Sequence, residues 1–542
     1  MNRIQFIFRM VTLGTLLLLF QDSYAQKILD RIVSVSVKNK PVSEVLKRVG
    51  DQAGFQFSYN SDIISGDSLV SISIQSVPVK QFLETLFVRG YTYKETGQYI
   101  IIQRAKKEKY GQIAGQVLDG ITGIGMDYVS VYSKQFLMST LTDDDGFFKL
   151  RVREHNFPIT LSFSKVGYAD TAIVVHSERD RGMGISMFPK AIDLDTLVIT
   201  NGKGNNSWLA RLFVSSKLRA QSRNIGQFFV ALPFQVSLTP GLSTHGRLSS
   251  QIINKVSINI YGGYTAGVNG VELGGLFNIS KKDSRYLQMA TTFNAVGGNC
   301  TGVQMAGMYN QIWESLNGVQ VSGLAGVVKR NVKGGQFSVM GNITGGDMKG
   351  VQLATFFNYA GHLKGVQIGM INVADSSSGY SIGFLNIVKK GHGAISVYAN
   401  ELVPFNIGWT SGNRKLYNIL TVGASLNNGH KAYTYGFGFG REFVLHDQLK
   451  LNTEITHQNV YLGDWKNRPV VYRFQTGLNI KLSDRLSITA GPSFSMFHSR
   501  QKDFKAGYQS FAEKGFFHFK VNNHTQAWMG WQGGLRWNYH RF

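Results

Sequence analysis

The chain has 542 residues, 43% of them hydrophobic and 12% aromatic, with 61 glycines and a formal net charge of +24. That apolar content excludes wholesale disorder, and the length allows about three domains. The single cysteine, Cys300, excludes an internal disulfide and a cysteine-built metal cluster.

The N-terminus carries Arg3 and Arg9, an apolar run from Met10 to Phe20 and a small-x-small site at Ser23-Tyr24-Ala25. Residues 1–25 therefore read as a secretory signal peptide. Beyond it no apolar run reaches the ~18 residues of a spanning helix, so a mature chain in a membrane would cross it as a β-barrel. Residues 201–542 hold 34 Lys and Arg against 13 Asp and Glu. In an exported chain this basic excess is either a general basic bias or a sign of outer-membrane lipid, lipopolysaccharide or an anionic solute as a partner, and it points away from nucleic acid.

Residues 28–103 contain one pattern twice. Alternating Ile32 to Val37 leads to Pro41 and an amphipathic run Val42, Val45, Leu46, Val49, then Gly54 and Phe55, Phe57, Tyr59; Ile72 and Ile74 lead to Pro78, Val79, Phe82, Leu83, Leu86, then Gly90, Tyr91, Tyr93. With the closing strand Tyr99 to Ile102 this predicts a small α+β domain. The pattern, including Lys40-Pro41-Val42-Ser43-Glu44-Val45-Leu46 and Tyr91-Thr92-Tyr93, closely resembles the secretin and TonB short N-terminal (STN) domain. The resemblance implies a periplasmic docking module that contacts an anti-sigma factor or an energy-coupling protein.

After the charged link Lys106 to Lys109, residues 110–199 show short alternating strands with turns at Gly120 and Gly167, the pattern of a small β-sandwich. Gly115-Gln116-Val117-Leu118-Asp119, Thr142 to Phe148 and Val166-Gly167-Tyr168 resemble the carboxypeptidase regulatory-like domain, which is not catalytic. Asp143 and Asp145 before Gly146 read as a polar turn, because a calcium loop needs a longer ligand series and a terminal Glu. Residues 200–226 form a basic stretch with Lys203, Arg211, Lys217, Arg219 and Arg223 around Trp208, Leu209, Leu212, Phe213 and Leu218. It suits either an amphipathic helix at a membrane or a linker. Leu194 to Thr200 looks like the lead into the plug of TonB-dependent receptors, but strand-like residues resume by Phe228, so the resemblance is to plug-less relatives.

Residues 227–542 read as strand throughout. Gly270, Gly302, Gly318, Gly334 and Gly350 lie on a 16-residue grid with Tyr286 at the remaining node, and Gly365 and Gly379 continue it. Gly-Val-Gln followed by Asn recurs at 302–310, 350–358 and 365–372, giving eight copies over 270–393 that resemble short surface repeats of outer-membrane proteins. In the copy at Gly350, Val351, Leu353, Thr355 and Phe357 share an outward face opposite Gln352, Ala354, Phe356 and Asn358; facing in the shortened copies at Gly365 and Gly379 is left open. Counting the other alternating stretches up to the aromatic terminus Trp531 to Phe542 predicts an antiparallel transmembrane barrel of about 16–18 strands. The alternative is a β-solenoid over 270–393 with a stacked Asn ladder.

No stretch carries recognisable chemistry. Gly379-Tyr380-Ser381-Ile382-Gly383 matches a nucleophile elbow without its strand–turn–helix context, Gly436 to Gly440 reads as strand, and the histidines show no zinc spacing. The expectation is a multidomain, mainly β, non-enzymatic protein of the Gram-negative outer membrane with periplasmic adaptor domains, no catalytic or metal residues and no cofactor. Its expected role is surface sensing or receptor-type signalling; a passive or partly plugged pore and an adhesive or structural protein are the alternatives.

Overall fold

The computed structural model describes residues 27–539 apart from 88–89, 106–108, 178–179, 181, 191–206, 227, 428, 465–468, 502–504 and 510–514. The expected signal peptide, the plug-like segment Leu194 to Thr200 and the terminal Phe542 lie outside the described residues. Two compact units result, Met1–Tyr110 and Gly111–Phe542.

In the first unit the sequence duplication is also a duplication of contacts. Strands Ile32–Pro41 and Leu69–Pro78 pair antiparallel, and each ends on a proline that starts a helix, Val42–Ala53 or Val79–Leu86. Pro41 and Pro78 have nearly identical backbone angles, φ −59° with ψ 142° and φ −59° with ψ 146°. The ring fixes φ at a value that suits a helix entrance, where no N–H donor is needed. The Val42 N–H donates to the Ser68 carbonyl and the Val79 N–H to the Arg31 carbonyl, each just ahead of the opposite strand. Val45, Leu46, Val49, Phe82 and Leu83 bury against Ile100 and Ile102 of the central strand of a three-stranded sheet, ordered Gln56–Tyr59, Tyr99–Arg104, Tyr91–Thr96.

The second unit opens with a β-sandwich. One sheet runs Thr171–Val175, Ile159–Ser164, Ser130–Ser133, Met138–Leu141, and the other Met183–Met187, Tyr110–Asp119, Phe147–Arg153. Their inner faces share Ile113, Val117, Phe148, Leu150, Leu161 and Phe163. The basic stretch then forms two short helices, Trp208–Phe213 and Ser216–Asn224, capped by the hydroxyls of Ser207 and Ser215. Leu209, Val214 and Leu218 pack on Tyr264, Phe277 and Phe293, so the segment is seated on the strands that follow it.

Those strands correct the leading expectation of one 16–18-stranded barrel. Residues 230–388 wind as a parallel β-solenoid, and among the described residues eight strands between 392 and 538 close a barrel. Each solenoid coil has a long strand such as Cys300–Ala306, a two-residue corner and a short strand such as Tyr309–Ile312. The nine-residue runs that read as single membrane strands are bent at this corner. Parallel stacking sets each residue beside its equivalent one coil away, Gln304 beside Gln320 and Asn294 beside Asn310. An antiparallel barrel would alternate chain direction and lose that match.

The glycine period follows from this stacking. Gly302, Gly318, Gly334 and Gly350 have φ between +114° and +144°, and a Cβ on any of the last three would run into the carbonyl oxygen of the glycine one coil earlier. Tyr286, at the exceptional node, adopts φ 72°. The shortened copies lose the last residue of the long strand, Val366–Ile368 having no counterpart of Ala354, while the corner Gly369-Met370 keeps two residues, so Asn372 and Asn386 stay inside with Asn358.

The barrel strands are His392–Asn400, Phe405–Gly412, Tyr417–Ser425, Ala432–His446, Leu449–Tyr461, Val470–Lys481, Leu486–His498 and Thr525–Asn538, the last pairing back on the first. The run Ala394–Trp409, which reads as one strand, is two, divided at Glu401-Leu402-Val403-Pro404. Phe516–Asn522 forms a ninth strand that pairs only with Thr525–Asn538, outside the closed ring.

Candidate functional site: the solenoid wall and the barrel

Two hydrogen-bonded ladders run through the solenoid interior. In the first, the amide of each glutamine donates back to the previous coil, Gln304 to Gln288, Gln320 to Gln304, Gln336 to Gln320 and Gln352 to Gln336 at 2.9 Å each, and Gln367 to Gln352 at 2.8 Å. Ser381 ends this ladder by donating to Gln367. The serine of the elbow-like motif is thus a buried ladder rung. The second ladder points the other way: Asn278 donates to Asn294, Asn294 to Asn310, Asn342 to Asn358, Asn358 to Asn372 and Asn372 to Asn386. Opposed amide dipoles partly cancel along the stack. The asparagine ladder breaks at Gly326, where Asn310 turns to the Ser322 hydroxyl and Asn342 Oδ1 has no partner.

Glu272 terminates the glutamine ladder. Its carboxylate accepts from Gln288, from Asn259 and from Ser280, so donors converge on a group that can only accept when ionised. Burial pushes its carboxyl up to about 7, opposed by those hydrogen bonds. Nearby, burial pulls Lys281 down to about 7, and its ammonium donates to the Ser222 carbonyl at the end of the second short helix.

The other end of the solenoid is closed by the barrel. The Asn386 N–H donates to Asn418 Oδ1, Asn413 Nδ2 donates to the Gly379 carbonyl, and Lys415 Nζ donates to the Ser378 carbonyl. These partners satisfy backbone groups that a further coil would otherwise pair, which blunts an open edge of the sheet. The barrel therefore lies on the axial end of the stack.

Outside, the barrel presents Val397, Ile407, Val422, Phe437, Ile455, Phe474, Ile488 and Leu535. Inside it is polar and filled. Glu401 folds in from its turn and takes Arg473 on both carboxylate oxygens at 2.6 and 3.0 Å, along with Trp528 Nε1 and Ser495. Lower down, Glu454 accepts from Tyr417 and Gln475, and Glu442 lies between His392 and Lys450. Gly436, Gly438 and Gly440 are the inward partners of outward Phe437, with the Gly440 position closed by the Tyr417 ring.

The outward face of the ten long solenoid strands is apolar. One column, in register along the stack, is Phe234, Val256, Val271, Leu287, Val303, Val319, Gly335, Val351, Val366 and Tyr380. The next is Val236, Ile258, Leu273, Met289, Met305, Val321, Phe337, Leu353, Ile368 and Ile382. Leu353 is 41% exposed and Gln352 fully buried, as the alternation predicts, but Phe356, expected inside, is 48% exposed because the chain bends at the corner Thr355-Phe356 and the period of two breaks there. Sequence reasoning treated this face as lipid-facing barrel wall; only parallel register shows it to be one continuous parallel sheet.

In the sandwich, Asp119 accepts from the Thr122 and Ile121 N–H groups and from the Tyr168 hydroxyl, which hold its carboxyl at about 2, the Thr122 bond contributing most. Asp143 closes the turn before Phe147, whose N–H it accepts. Residues 113–199 match the family model described as a CarboxypepD_reg-like domain. That match covers the sandwich and agrees with the resemblance carried by its Gly115, Asp143 and Gly167 motifs. No curated protein and no solved structure matches the chain.

Proposed function

We propose that the chain is an outer-membrane-anchored adaptor, with the barrel as anchor and the solenoid, the sandwich and an STN-like module on the periplasmic side. The observation that carries this reading is the asymmetry of the barrel's ends. The turns 413–416, 447–448 and 482–485 lie at the end that meets the solenoid; at the other lie the four-residue turn 401–404 and the longer connections 426–431, 462–469 and 499–524. Bacterial barrels keep short turns in the periplasm and long loops outside. The repeats then belong beneath the membrane, and the cell surface meets only the loops. A lumen filled by Arg473, Glu401, Glu454 and Arg536 supports an anchor over an open pore. Residues 28–103 would then pass the state of the membrane or of a loop-bound ligand to an anti-sigma or energy-coupling protein.

Cysteine accessibility tests the placement, because Cys300 is buried with its thiol pushed up to about 12, chiefly by burial, and stays silent. Asn427→Cys should react with an impermeant maleimide on intact cells, and Lys333→Cys only after the outer membrane is permeabilised. The reverse pattern, or recovery of the chain as a soluble protein, refutes the reading. Deleting residues 28–103 should leave a heat-modifiable barrel and abolish crosslinking to a periplasmic or inner-membrane protein.

A further inference from the structure

The apolar wall of the solenoid is larger than its surroundings explain. Ten strands about 4.8 Å apart make it about 43 Å long, and two columns plus the corner row make it about 17 Å wide, roughly 700 Å². Isolated monomers rarely expose contiguous apolar patches beyond a few hundred Å². The corner row is itself apolar, with Leu276, Met308, Leu324, Met340, Phe356, Met370 and Phe384 between 44% and 56% exposed. Between it and the second column, over residues 273–321, lies a depression of about 410 Å³ floored by Gly274, Ala290, Thr291, Ala306 and Gly307 and walled by Leu273, Met289, Met305 and Val321.

We infer that this wall is the contact between two copies of the chain, packed sheet to sheet. Three observations select a second copy as the occupant. Two such faces would bury about 1,400 Å², within the ~1,200–2,000 Å² of stable interfaces. The face is a continuous sheet of parallel strands in register, so the like sheet of a second copy about 10 Å away covers it along its length, whereas a single lipid chain would be covered on one side. Over residues 273–321 ridge and depression lie side by side on one surface, so a two-fold axis parallel to the columns seats this part of the second column of each copy in the depression of the other, an isologous fit.

Charge agrees with that axis. Lys255, Arg285, Lys333 and Lys349 are exposed along the rim beside the first column. The two-fold sends the basic rims of the two copies to opposite sides, farther apart than the ~8 Å over which salt screens them. The same axis, along the stack, sets both barrels at one end, as insertion in a single membrane requires; this common direction rests on the membrane reading above.

The test uses the full chain. In a mild detergent its protein mass should be that of two chains, and Leu353→Arg or Met305→Arg should shift it to one chain while the barrel keeps its heat-modifiability. In cells treated with an oxidant, Met289→Cys, Val321→Cys and Leu353→Cys should each form a disulfide with the same residue of a second copy, and Lys333→Cys should not. A one-chain mass at micromolar concentration overturns the inference, as does a two-chain mass that survives both arginine variants. So does a Val321→Cys variant that joins only residues 27–104 of its own chain, or a wall found occupied by co-purified lipid. Joining of Met289→Cys only to Leu353→Cys in mixed expression would show opposed copies and overturn the two-fold along the stack. Fractionation as a soluble protein with the same-residue disulfides intact would instead remove the membrane reading and leave the contact standing.

Discussion

Replacing Gln320 by Leu tests whether the glutamine ladder stabilises the solenoid through its hydrogen bonds. Leucine has nearly the volume of glutamine, so packing changes little. Gln304 Oε1 loses the donor held at 2.9 Å, and Gln336 Nε2 loses the acceptor held at 2.9 Å, both in an interior closed to water. Each buried orphan costs about 1–3 kcal/mol, giving about 2–6 kcal/mol for the substitution. Because coils contact mainly their neighbours, the loss should concentrate around residues 300–340. Native-state hydrogen exchange should report it there as a rise of about 30-fold to 20,000-fold in opening-limited rates. The decisive comparison is the double variant Gln304→Leu/Gln320→Leu. It also leaves two orphans, now Gln288 Oε1 and Gln336 Nε2, so its cost should lie within about 1 kcal/mol of the single variant's. A double variant costing about twice the single would refute the reasoning, and so would a single variant exchanging like the wild type.

Three further outcomes follow from the same geometry. The Glu272 carboxyl is raised from 4.5 to about 7, so its neutral form is favoured by the fold; stability is complete below pH 4.5 and falls by roughly 3 kcal/mol as pH climbs to 7, and Glu272→Gln should flatten that slope in hydrogen exchange of residues 259–288. Glu401→Gln leaves the Arg473 guanidinium, wholly buried in the lumen, without its charge partner, so the folded barrel should lose about 3–5 kcal/mol and unfold at lower temperature on heat-modifiability gels, with Arg473→Met relieving part of the loss in the double variant. The Asp119 carboxyl is depressed, so what it contributes is present above pH 3.8 and lost as pH falls to 2; Tyr168→Phe should move its titration, followed by NMR, upward towards the ordinary value, and an unmoved titration would exclude the hydroxyl as a cause.

Local chemistry and periodicity were legible without a structure. The duplicated Pro41 and Pro78 segments announced a duplicated α+β fold because proline fixes its own φ and helix entry. Alternation at Phe147–Arg153 announced a two-faced strand, and the opposite facing of Gln352 and Leu353 followed from the period of two. The glycine grid announced a repeat, and alternation beyond residue 394 announced barrel strands. Alternation does not encode the direction or identity of the neighbouring strand. A nine-residue run ending in Asn310 or Asn358 fits a membrane strand or a bent coil equally, and the choice rests on contacts 16 residues away: glycine over glycine, amide over amide, and a long strand that ends one residue early ahead of the corner at Gly369. The seating of the basic helices on Phe277 and Phe293, and the closing of the last coil by Asn413 and Asn418, are likewise long-range. Sequence therefore determined which faces are apolar and where the repeats fall; tertiary structure decided what those faces meet, because strand pairing is set by backbone hydrogen bonds between segments that no local pattern connects.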